Sequence, residues 1–320
     1  MELNYKTNWY NKLNELKAMH RDIASLCEHK NVAYIDIPLH FNVGDQLIYA
    51  GTEAFIKNHK INVVYRAFDI NVDVKKIEKC DLIMFHGGGN FGDIYPRHQR
   101  LRESLIEKYP SKRIIILPQT IHFSSEAEKT KSCEVFARHP DLYIYLRDKK
   151  SHEIAKAFSH NSSLMPDMAH SLHPLIDSSE VESLEINTPK IINLRRVDVE
   201  KVSAEIKIHK RSFDWINILE PWDHTYFKYI KKLQRFNFLT SRLVRSWKTN
   251  SDYLIFRSIN YFNLHNTVYT DRLHGFILAY LLGKNIKLLD NSYGKNLNYF
   301  KQWINDENLV EVLAQEQKID

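Results

Sequence analysis

The residue types best suited to chemistry stand together in the segment YTDRLHG, Tyr269–Gly275. Arg272 supplies a permanent cation, and His274 supplies a group that gives or takes a proton near neutral pH. The segment leads into FILAYLLG, whose apolar run predicts a buried helix, and charged groups at the start of such a helix are costly unless they line a site. The positive potential and N–H donors of a helix N-terminus favour an anion such as phosphate, with Thr270 or Asp271 as the cap. The alternative is that these charged residues simply lie at the surface.

A glycine-rich segment, HGGGNFGDIYP at His86–Pro96, follows another predicted strand. Its G-x-G-x-x-G spacing is that of a dinucleotide site, but Pro96 predicts that the next helix begins only there, and no acidic residue follows the next strand to hold a ribose. Adjacent glycines still allow a ligand to approach the backbone closely, and successive N–H groups can form an anion nest. We therefore predict contact with a ligand other than NAD through Gly87, Gly88, Gly89 and Asn90.

Two further polar segments also follow strands. In PQTIH, three side chains are able to hydrogen-bond sugar hydroxyls, namely Gln119, Thr120 and His122. A lone histidine in a loop is nevertheless more often structural. In FNVGDQLI, Gly44 gives freedom to a strand-to-helix turn. Asp45 in the same segment either caps the helix or faces the cleft as a carboxylate that orients a hydroxyl or accepts its proton.

The apolar strand IINLRR ends in two arginines, Arg195 and Arg196. Adjacent side chains of a strand point to opposite faces, so we expect one of the pair to enter the cleft and select Arg195. A guanidinium group holds a carboxylate or a phosphate through two parallel hydrogen bonds, which suits an anionic substrate. The alternative is a pair of solvated surface arginines.

Composition limits the class of protein. The chain has 320 residues, and 45 Lys and Arg against 39 Asp and Glu give a net charge of +6. This surplus suits an anionic substrate or surface, but nucleic-acid binders concentrate their charge more strongly, so no nucleic-acid partner is expected. The three cysteines are far apart, and His170 and His173 lack an acidic cluster beside them, so a metal site is not expected either.

Location follows from the apolar runs. No stretch reaches the ~18 apolar residues of a membrane span, and Met1–Met19 lacks the apolar core of a signal peptide, so we expect a cytoplasmic protein. One basic stretch interleaved with aromatic residues, Phe227–Lys248, is compatible with peripheral contact at an anionic inner membrane. It is equally compatible with an ordinary helix that has a solvated basic face.

The elements that must position these residues alternate between short apolar strands and helical patterns. Such alternation predicts an α/β protein with parallel sheets covered on both faces, whose ligands bind at the carboxyl ends of the strands. In the first half we predict a long first helix at Trp9–His29. The strands predicted after it are Val32–Ile37, Asn62–Phe68, Leu82–Phe85, Arg113–Leu117, Leu142–Tyr145 and Ser163–Met165, and the helices between them are Gln46–Asn58, Pro96–Lys108, Glu126–Ala137 and Lys149–Phe158.

A stretch rich in Ser, Pro and acidic residues separates this half from a second set of elements. We divide the chain into an N-terminal lobe at 1–175, a linker at 176–190 and a C-terminal lobe at 191–320. The second lobe is predicted to contain the strands Ile191–Leu194, Thr267–Tyr269 and Ile286–Leu289, one or two strands near Arg211–Ile218, and the helices Asp223–Ser246, Asp252–Phe262 and Arg272–Leu282.

The motifs in their order resemble those of the polysaccharide pyruvyl transferase family. The motifs are NVGDQLI, FHGGGNFGDIYP, PQT, PDMA (Pro166–Ala169), NLRR, TDRLHG and YGKN (Tyr293–Asn296), and the resemblance runs from about residue 35 to residue 300. No single motif is diagnostic, but the ordered set is specific. The least typical stretch is Val197–Asn250, where selection of the acceptor is a reasonable expectation.

The resemblance implies a GT-B-like fold of two Rossmann-type lobes with an interlobe cleft. It implies transfer of the enolpyruvyl unit of phosphoenolpyruvate (PEP) to a sugar of an exopolysaccharide, capsule or cell-wall glycan, giving a cyclic pyruvate ketal and free phosphate without a cofactor. It implies that the N-terminal lobe binds the acceptor and that the C-terminal lobe binds PEP. The R-x-H element of the family carries over to Arg272, Leu273 and His274, and Arg195 matches the strand-end arginine of the family less securely. Asp45 and His122 are weaker catalytic carry-overs. The family further suggests a lipid-linked acceptor at the cytoplasmic membrane face.

Two other functions remain open from the sequence. A GT-B glycosyltransferase that uses a nucleotide sugar shares the two-lobed fold, and fold alone does not separate the two. A thermal-shift titration discriminates between them, because PEP should stabilise a pyruvyl transferase and UDP- or GDP-sugars should not. A non-catalytic carbohydrate- or nucleic-acid-binding protein would leave HGGG and DRLHG without a purpose.

Overall fold

The computed structural model describes residues 2–177, 190–195, 212–290 and 294–313, and in these ranges it has two parallel β-sheets with helices packed around them. The central strands of the larger sheet are buried at every position, as in β1 (Val32–Ile37). A strand that is covered on both faces must be apolar throughout, which explains the unbroken apolar runs in the sequence.

The larger sheet has seven strands among the described residues. Their spatial order is β2-β1-β3-β5-β6-β7, and the glycine-rich strand β4 continues from β3 to pair with the second half of β5. After β1, the strands are β2 (Val63–Phe68), β3 (Leu82–Phe85), β4 (Gly88–Gly92), β5 (Arg113–His122), β6 (Leu142–Leu146) and β7 (Asn161–Leu164).

Helices connect these strands, and several begin where a side chain accepts a hydrogen bond from a backbone N–H. Asn42 caps α3 in this way, Ser125 caps α6 and Asp148 caps α7. A 3₁₀ turn at Met168–Leu172 ends this half of the chain. The helices are α1 (Glu2–Met19), α2 (Arg21–Leu26), α3 (Val43–Asn58), α4 (Val74–Glu78), α5 (Pro96–Lys108), α6 (Glu126–Phe136) and α7 (Lys149–Ala155).

The smaller sheet has the order β11-β10-β9-β8, again parallel. Its strands are β8 (Ile191–Leu194), β9 (Thr267–Thr270), β10 (Asn285–Leu288) and β11 (Val310–Val312). The accompanying helices are α8 (Pro221–Leu233), α9 (Thr240–Asn263), α10 (Leu273–Leu281), α11 (Lys295–Tyr299) and a π-helix at Phe300–Ile304, with 3₁₀ turns at Trp215–Ile218 and Asn237–Leu239. Two Rossmann-type sheets of this kind form a GT-B-like fold, as predicted.

Four local predictions need correction. The predicted first helix is two helices that break at His20, whose buried ring is hydrogen-bonded to Ser171 Oγ at 2.7 Å. The Gly88–Gly92 segment, for which no strand is predicted, forms strand β4. Near Arg211–Ile218, Phe213 makes a single bridge to the smaller sheet and Asp214 caps a 3₁₀ turn, while Arg211 lies outside the described residues. The helix predicted at Asp223–Ser246 is interrupted at Asn237, and its second part continues to Asn263 as α9.

Three tryptophans connect the two halves of the chain. The indole N–H of Trp9 in α1 donates to the carbonyl of Tyr280 at 2.6 Å. That of Trp247 in α9 donates to Pro38 at 2.7 Å, and that of Trp303 donates to Arg147 at 2.6 Å. The predicted boundary between two lobes remains a prediction, because residues 178–189 of its linker lie outside the described ranges.

Candidate active site

A cavity of about 320 Å³ opens at the carboxyl ends of the strands of the larger sheet and is closed from the other side by the start of α10. This volume is within the range of small-molecule sites, roughly 300–1,000 Å³. Its wall combines both halves of the chain, from Asp36 at the end of β1 to Lys295 in α11. The strand edge predicted to hold ligands is therefore the edge that faces the second half.

His274 lies in the first turn of α10 and belongs to a chain of charged groups. Its Nε2 is 3.2 Å from Oδ2 of Asp167, and the same oxygen accepts a hydrogen bond from Nη1 of Arg147 at 2.6 Å. Burial alone would raise the pKa of the Asp167 carboxyl, but His274 and Arg147 hold it well below its usual range. Asp167 is therefore ionised, and it fixes the orientation of the imidazole whose other face borders the cavity.

A cationic group of four residues lines the same end of the cavity: Arg147, Arg272, His274 and Lys295. Arg272 donates from Nη2 to Asp214 at 2.5 Å, which holds its guanidinium beside α10. A β-carbon on Gly89 would lie 3.6 Å from both Nη2 of Arg147 and Nζ of Lys295, so the two cations converge over the glycine-rich strand. Arg147 is 2% exposed, and its Nε has no hydrogen-bond partner among the described residues.

The opposite end of the cavity holds His98 against a buried carboxylate. Nδ1 of His98 is 2.6 Å from Oδ1 of Asp36, and the other oxygen of Asp36 accepts from Nη2 of the fully buried Arg102 at 2.9 Å. Burial would raise the pKa of Asp36, but the hydrogen bond from His98 and the charge of Arg102 lower it overall. Asp36 adopts a φ of +67°, a left-handed conformation that is strained for a residue other than glycine.

His86 lies between these two ends. Its Nδ1 is 2.6 Å from the hydroxyl of Tyr34. Its Nε2 has no hydrogen-bond partner in the described part of the chain, although the residue is buried and borders the cavity. Burial lowers the pKa of His86 to about 4, despite the opposing charges of Asp36, Asp45 and Asp167. His86 is therefore a neutral polar group at neutral pH.

Seven of the predicted site residues line the cavity. Asp45 lies in the first turn of α3, and its carboxylate is 3.5 Å from Nε2 of His40. The cap of this helix is Asn42 and not Asp45. Neither Thr270 nor Asp271 caps α10, because Arg272 occupies the cap position and Thr270 Oγ1 accepts from its N–H. The seven are Asp45, Gly87, Gly89, Asn90, Arg272, Leu273 and His274.

Five predicted residues lie away from the cavity wall. Arg195 donates from Nε to Asp271 at 3.1 Å, and Thr120 accepts from Nη2 of Arg147 at 3.0 Å. Gln119 is buried and donates to the carbonyl of His86, and His122 is exposed at the end of β5. Gly88 pairs with Gln119 in the sheet. Thr120 and Arg195 thus support cavity residues or their neighbours.

Several residues of the site were not predicted from the sequence. Arg147 follows β6 as a lone charged residue, and only its burial against Asp167 distinguishes it from a surface arginine. Asp167 lies in PDMA, one of the motifs that carry the resemblance. Asp36 could have been found because it is a carboxylate within the otherwise apolar strand VAYIDI. His98 sits in the polar helix α5, where the sequence offers no signal. Among the described residues, no cluster of three or more His, Cys, Asp or Glu side chains is arranged to hold a metal ion.

The chain is similar to known proteins in its sequence and in its fold. Residues 42–293 match the family described as polysaccharide pyruvyl transferase. The chain is 36% identical over 287 residues to a Bacillus subtilis (strain 168) protein named "Putative pyruvyl transferase EpsO", covering 87% of this chain and 86% of that protein. It is 28% identical over 297 residues to Pyruvyl transferase 1 of Schizosaccharomyces pombe (strain 972), covering 86% and 70%.

One solved structure supports the fold alone. A functionally uncharacterised protein from Klebsiella pneumoniae superposes with a TM-score of 0.58 at 22% identity, over 92% of this chain and 98% of its own. Where the helices of this chain are described, none is long and apolar enough to cross a membrane. The length and identity of the matches show that the chain belongs to the polysaccharide pyruvyl transferase family.

Proposed function

We propose that this transferase moves the pyruvyl unit of PEP to two hydroxyls of a saccharide, forming a cyclic ketal and releasing phosphate. The observation that carries the proposal is the chain of contacts from His274 through Asp167 to Arg147, beside Arg272 at one end of the cavity. It combines a positioned proton donor with a receptor for a highly charged anion, which is what PEP requires.

The cationic end is the donor site in this proposal. PEP carries about three negative charges near neutral pH, and arginine forks bind carboxylate and phosphate oxygens in pairs. Arg272 and Lys295 contribute cations from one half of the chain, and Arg147 contributes a third from the other. Since Asp167 and Asp214 are engaged with His274, Arg147 and Arg272, the carboxylates next to the site do not simply repel the donor.

His274 is the general acid. Addition of its proton to the methylene carbon of PEP creates a cation-like centre at C2, which a sugar hydroxyl attacks to form the first C–O bond. The C–O bond to phosphate then breaks, phosphate takes up a proton, and a second hydroxyl closes the ring as its own proton is lost. Positioned acid catalysis contributes about 10²–10⁴-fold in rate. Asp167 stabilises the protonated imidazole and holds it in place.

His98 is the general base at the acceptor end. Its Nδ1–H donates to Asp36, and its Nε2, which is 3.8 Å from Oδ2 of Asp69, accepts the proton of an attacking hydroxyl. Arg102 and Asn90 donate hydrogen bonds to the other carboxylate oxygen of Asp36, so the Asp36–His98 pair is fixed before the acceptor binds. Asp45, the base considered from the sequence, lines the same cavity and is positioned to orient a hydroxyl.

Phosphate release from PEP tests the proposal directly. The purified protein is supplied with PEP and a panel of acceptors that includes β-galactose, glucose and N-acetylmannosamine units, and the product is analysed for the ketal. We expect acceptor-dependent phosphate release in which ketal and phosphate form in equal amounts. If UDP- or GDP-sugars stabilise the protein in thermal-shift titrations and PEP does not, the proposal is wrong and glycosyl transfer replaces it.

A further inference from the structure

Helices α8 and α9 form a hairpin whose turn exposes two phenylalanines. Phe238 is 78% exposed and Phe236 is 38% exposed, and their ring centroids are 6.0 Å apart. Half of the large apolar side chains that remain exposed in the described part of the chain belong to this hairpin, namely Trp222, Tyr229, Phe236, Phe238, Tyr253 and Phe256. Such a concentration marks an interaction surface, since single exposed apolar residues are otherwise scattered.

The charged residues around the turn of the hairpin are all basic. From His224 to Ser251 the sequence contains no Asp or Glu. The Arg235 guanidinium lies 4.8 Å from the centre of the Phe236 ring. The cations in this stretch are Lys228, Lys231, Lys232, Arg235, Arg242, Arg245 and Lys248. An aromatic tip within a ring of cations complements an anionic lipid surface, where the rings enter the acyl boundary and the cations meet the headgroups.

The packing of the hairpin gives this surface a place relative to the cavity. Phe41 packs against Phe227 and Trp247, with ring centroids 5.0 and 5.9 Å apart, and the Trp247 indole donates to Pro38. Pro38 lies on the cavity wall. Trp247 follows Thr240 by seven residues, or about 10 Å along the helix. The exposed tip and the cavity rim therefore lie on neighbouring parts of one rigid unit.

We propose that the tip of the α8–α9 hairpin docks the protein on an anionic membrane surface through Phe236 and Phe238. The aromatic pair supplies insertion, and the surrounding cations supply attraction that weakens with salt. One consequence rests on the proposed function: a docked cavity rim receives acceptor saccharides that are anchored in the same membrane. Docking itself does not depend on the reaction.

Vesicle sedimentation tests the docking. The protein is mixed with vesicles of phosphatidylcholine alone or of phosphatidylcholine with phosphatidylglycerol, at low and high salt. We expect binding to the anionic vesicles that falls with added salt. The double variant Phe236→Ser/Phe238→Ser should bind about tenfold more weakly or worse. Leu264→Ser, which changes an equally exposed residue about 36 Å away at the far end of α9, should bind like the unchanged protein.

Two controls separate docking from folding and from the reaction. Circular dichroism shows whether the double variant is folded, and phosphate release with a soluble acceptor should be the same in both proteins, because neither phenylalanine lines the cavity. Failure of phosphate release in the unchanged protein would count against the proposed function only. The docking proposal is wrong if the double variant binds vesicles as well as the unchanged protein does. It is also wrong if the unchanged protein is a dimer that does not bind vesicles and the double variant is a monomer.

Discussion

A β-carbon on Gly44 would lie only 2.6 Å from Nδ1 of His274, although the two residues come from different halves of the chain. Gly44 is in the first turn of α3, and His274 is in the first turn of α10. The missing side chain therefore makes the space that the imidazole occupies between Gly44 and Asp167. Glycine at this position therefore has a second role besides the backbone turn expected from the sequence: it leaves room for the imidazole that we propose as the general acid.

Gly44→Ala should therefore reduce turnover without unfolding the protein. Alanine is otherwise favoured over glycine in a helix, but here its methyl group pushes the imidazole from its position, and a displacement of about 1 Å can cost roughly 10²-fold in rate. The measurement is kcat for phosphate release, with Tm as the control for folding. An unchanged kcat would show that His274 has room to move or does not act in the reaction.

His274 and Arg272 should separate in their kinetic effects. His274→Ala should lower kcat at least about 10²-fold and leave PEP binding intact, because it removes a proton donor and leaves the cations in place. Arg272→Ala should chiefly raise KM for PEP. Near-normal turnover of His274→Ala would remove it from the mechanism, and an unchanged KM for PEP in Arg272→Ala would argue against an arginine clamp.

Asp167→Asn tests a positioning residue. The amide no longer stabilises the protonated imidazole, and it leaves the positive charge of Arg147 uncompensated, so the alkaline limb of the kcat–pH profile should move to lower pH. A merely structural role would lower activity equally at every pH. Steady-state kinetics between pH 5 and pH 9, interpreted alongside the Tm of the variant, distinguish these outcomes.

His98→Gln should lower kcat for ketal formation about 10²-fold or more while leaving KM for PEP near its original value, because it removes a base at the acceptor end. Asp36→Asn should give a smaller loss of the same kind, because His98 loses its orienting partner. As a matched control, His40→Gln changes another histidine of the cavity wall that has no buried carboxylate beside it. If the His40 variant loses as much activity as the His98 variant, His98 has no special role.

Buried histidines should make the fold sensitive to mild acid. Burial lowers the pKa of His20 to about 4 and that of His170 to about 3, against about 6.5 in an unfolded chain. The unfolded state therefore binds more protons, so this stability is complete above about pH 6.5 and is lost as the pH falls toward 4. Each such group contributes a slope of up to about 1.4 kcal/mol per pH unit in that window.

Chemical unfolding between pH 4.5 and pH 7.5 measures this slope. His20→Gln and His170→Gln should each flatten it, whereas His160→Gln, at an exposed position, should not. The depressed pKa values of the Asp36 and Asp167 carboxyls act in a separate window, since their stabilisation is lost only below about pH 4. A stability that does not change between pH 7.5 and pH 4.5 would contradict the prediction.

The sequence predicted the first half of the fold best. Strand Leu82–Phe85 and helix Pro96–Lys108 agree with the structure at both ends, because a short apolar run and a proline at the first helical position are local signals. The strand Gly88–Gly92 could not be predicted in this way. Glycine has low strand propensity, and this segment is extended only because it pairs with β5.

Within the site, the sequence predicted the residues at the start of α10 and missed those whose role depends on tertiary contacts. Arg272 and His274 stand out because charge precedes an apolar helix. Arg147, by contrast, looks like any cation at a strand end until Asp167 is placed beside it. Arg195 was predicted to meet the donor, but it is engaged with Asp271, a pairing between sequence-distant residues that no local pattern reports.

The three hydrogen bonds from indole N–H groups to backbone carbonyls limit how far the two halves of the chain can move relative to each other. The Trp9 bond joins α1 to Tyr280 in α10, and the Trp247 bond joins α9 to Pro38, which follows β1. The Trp303 bond joins the π-helix to Arg147. Because these bonds join the two halves, we expect heat or urea to unfold both in one cooperative step. We then expect substrate to enter through small local movements around the cavity rim, because a wide hinge motion would break all three hydrogen bonds at once.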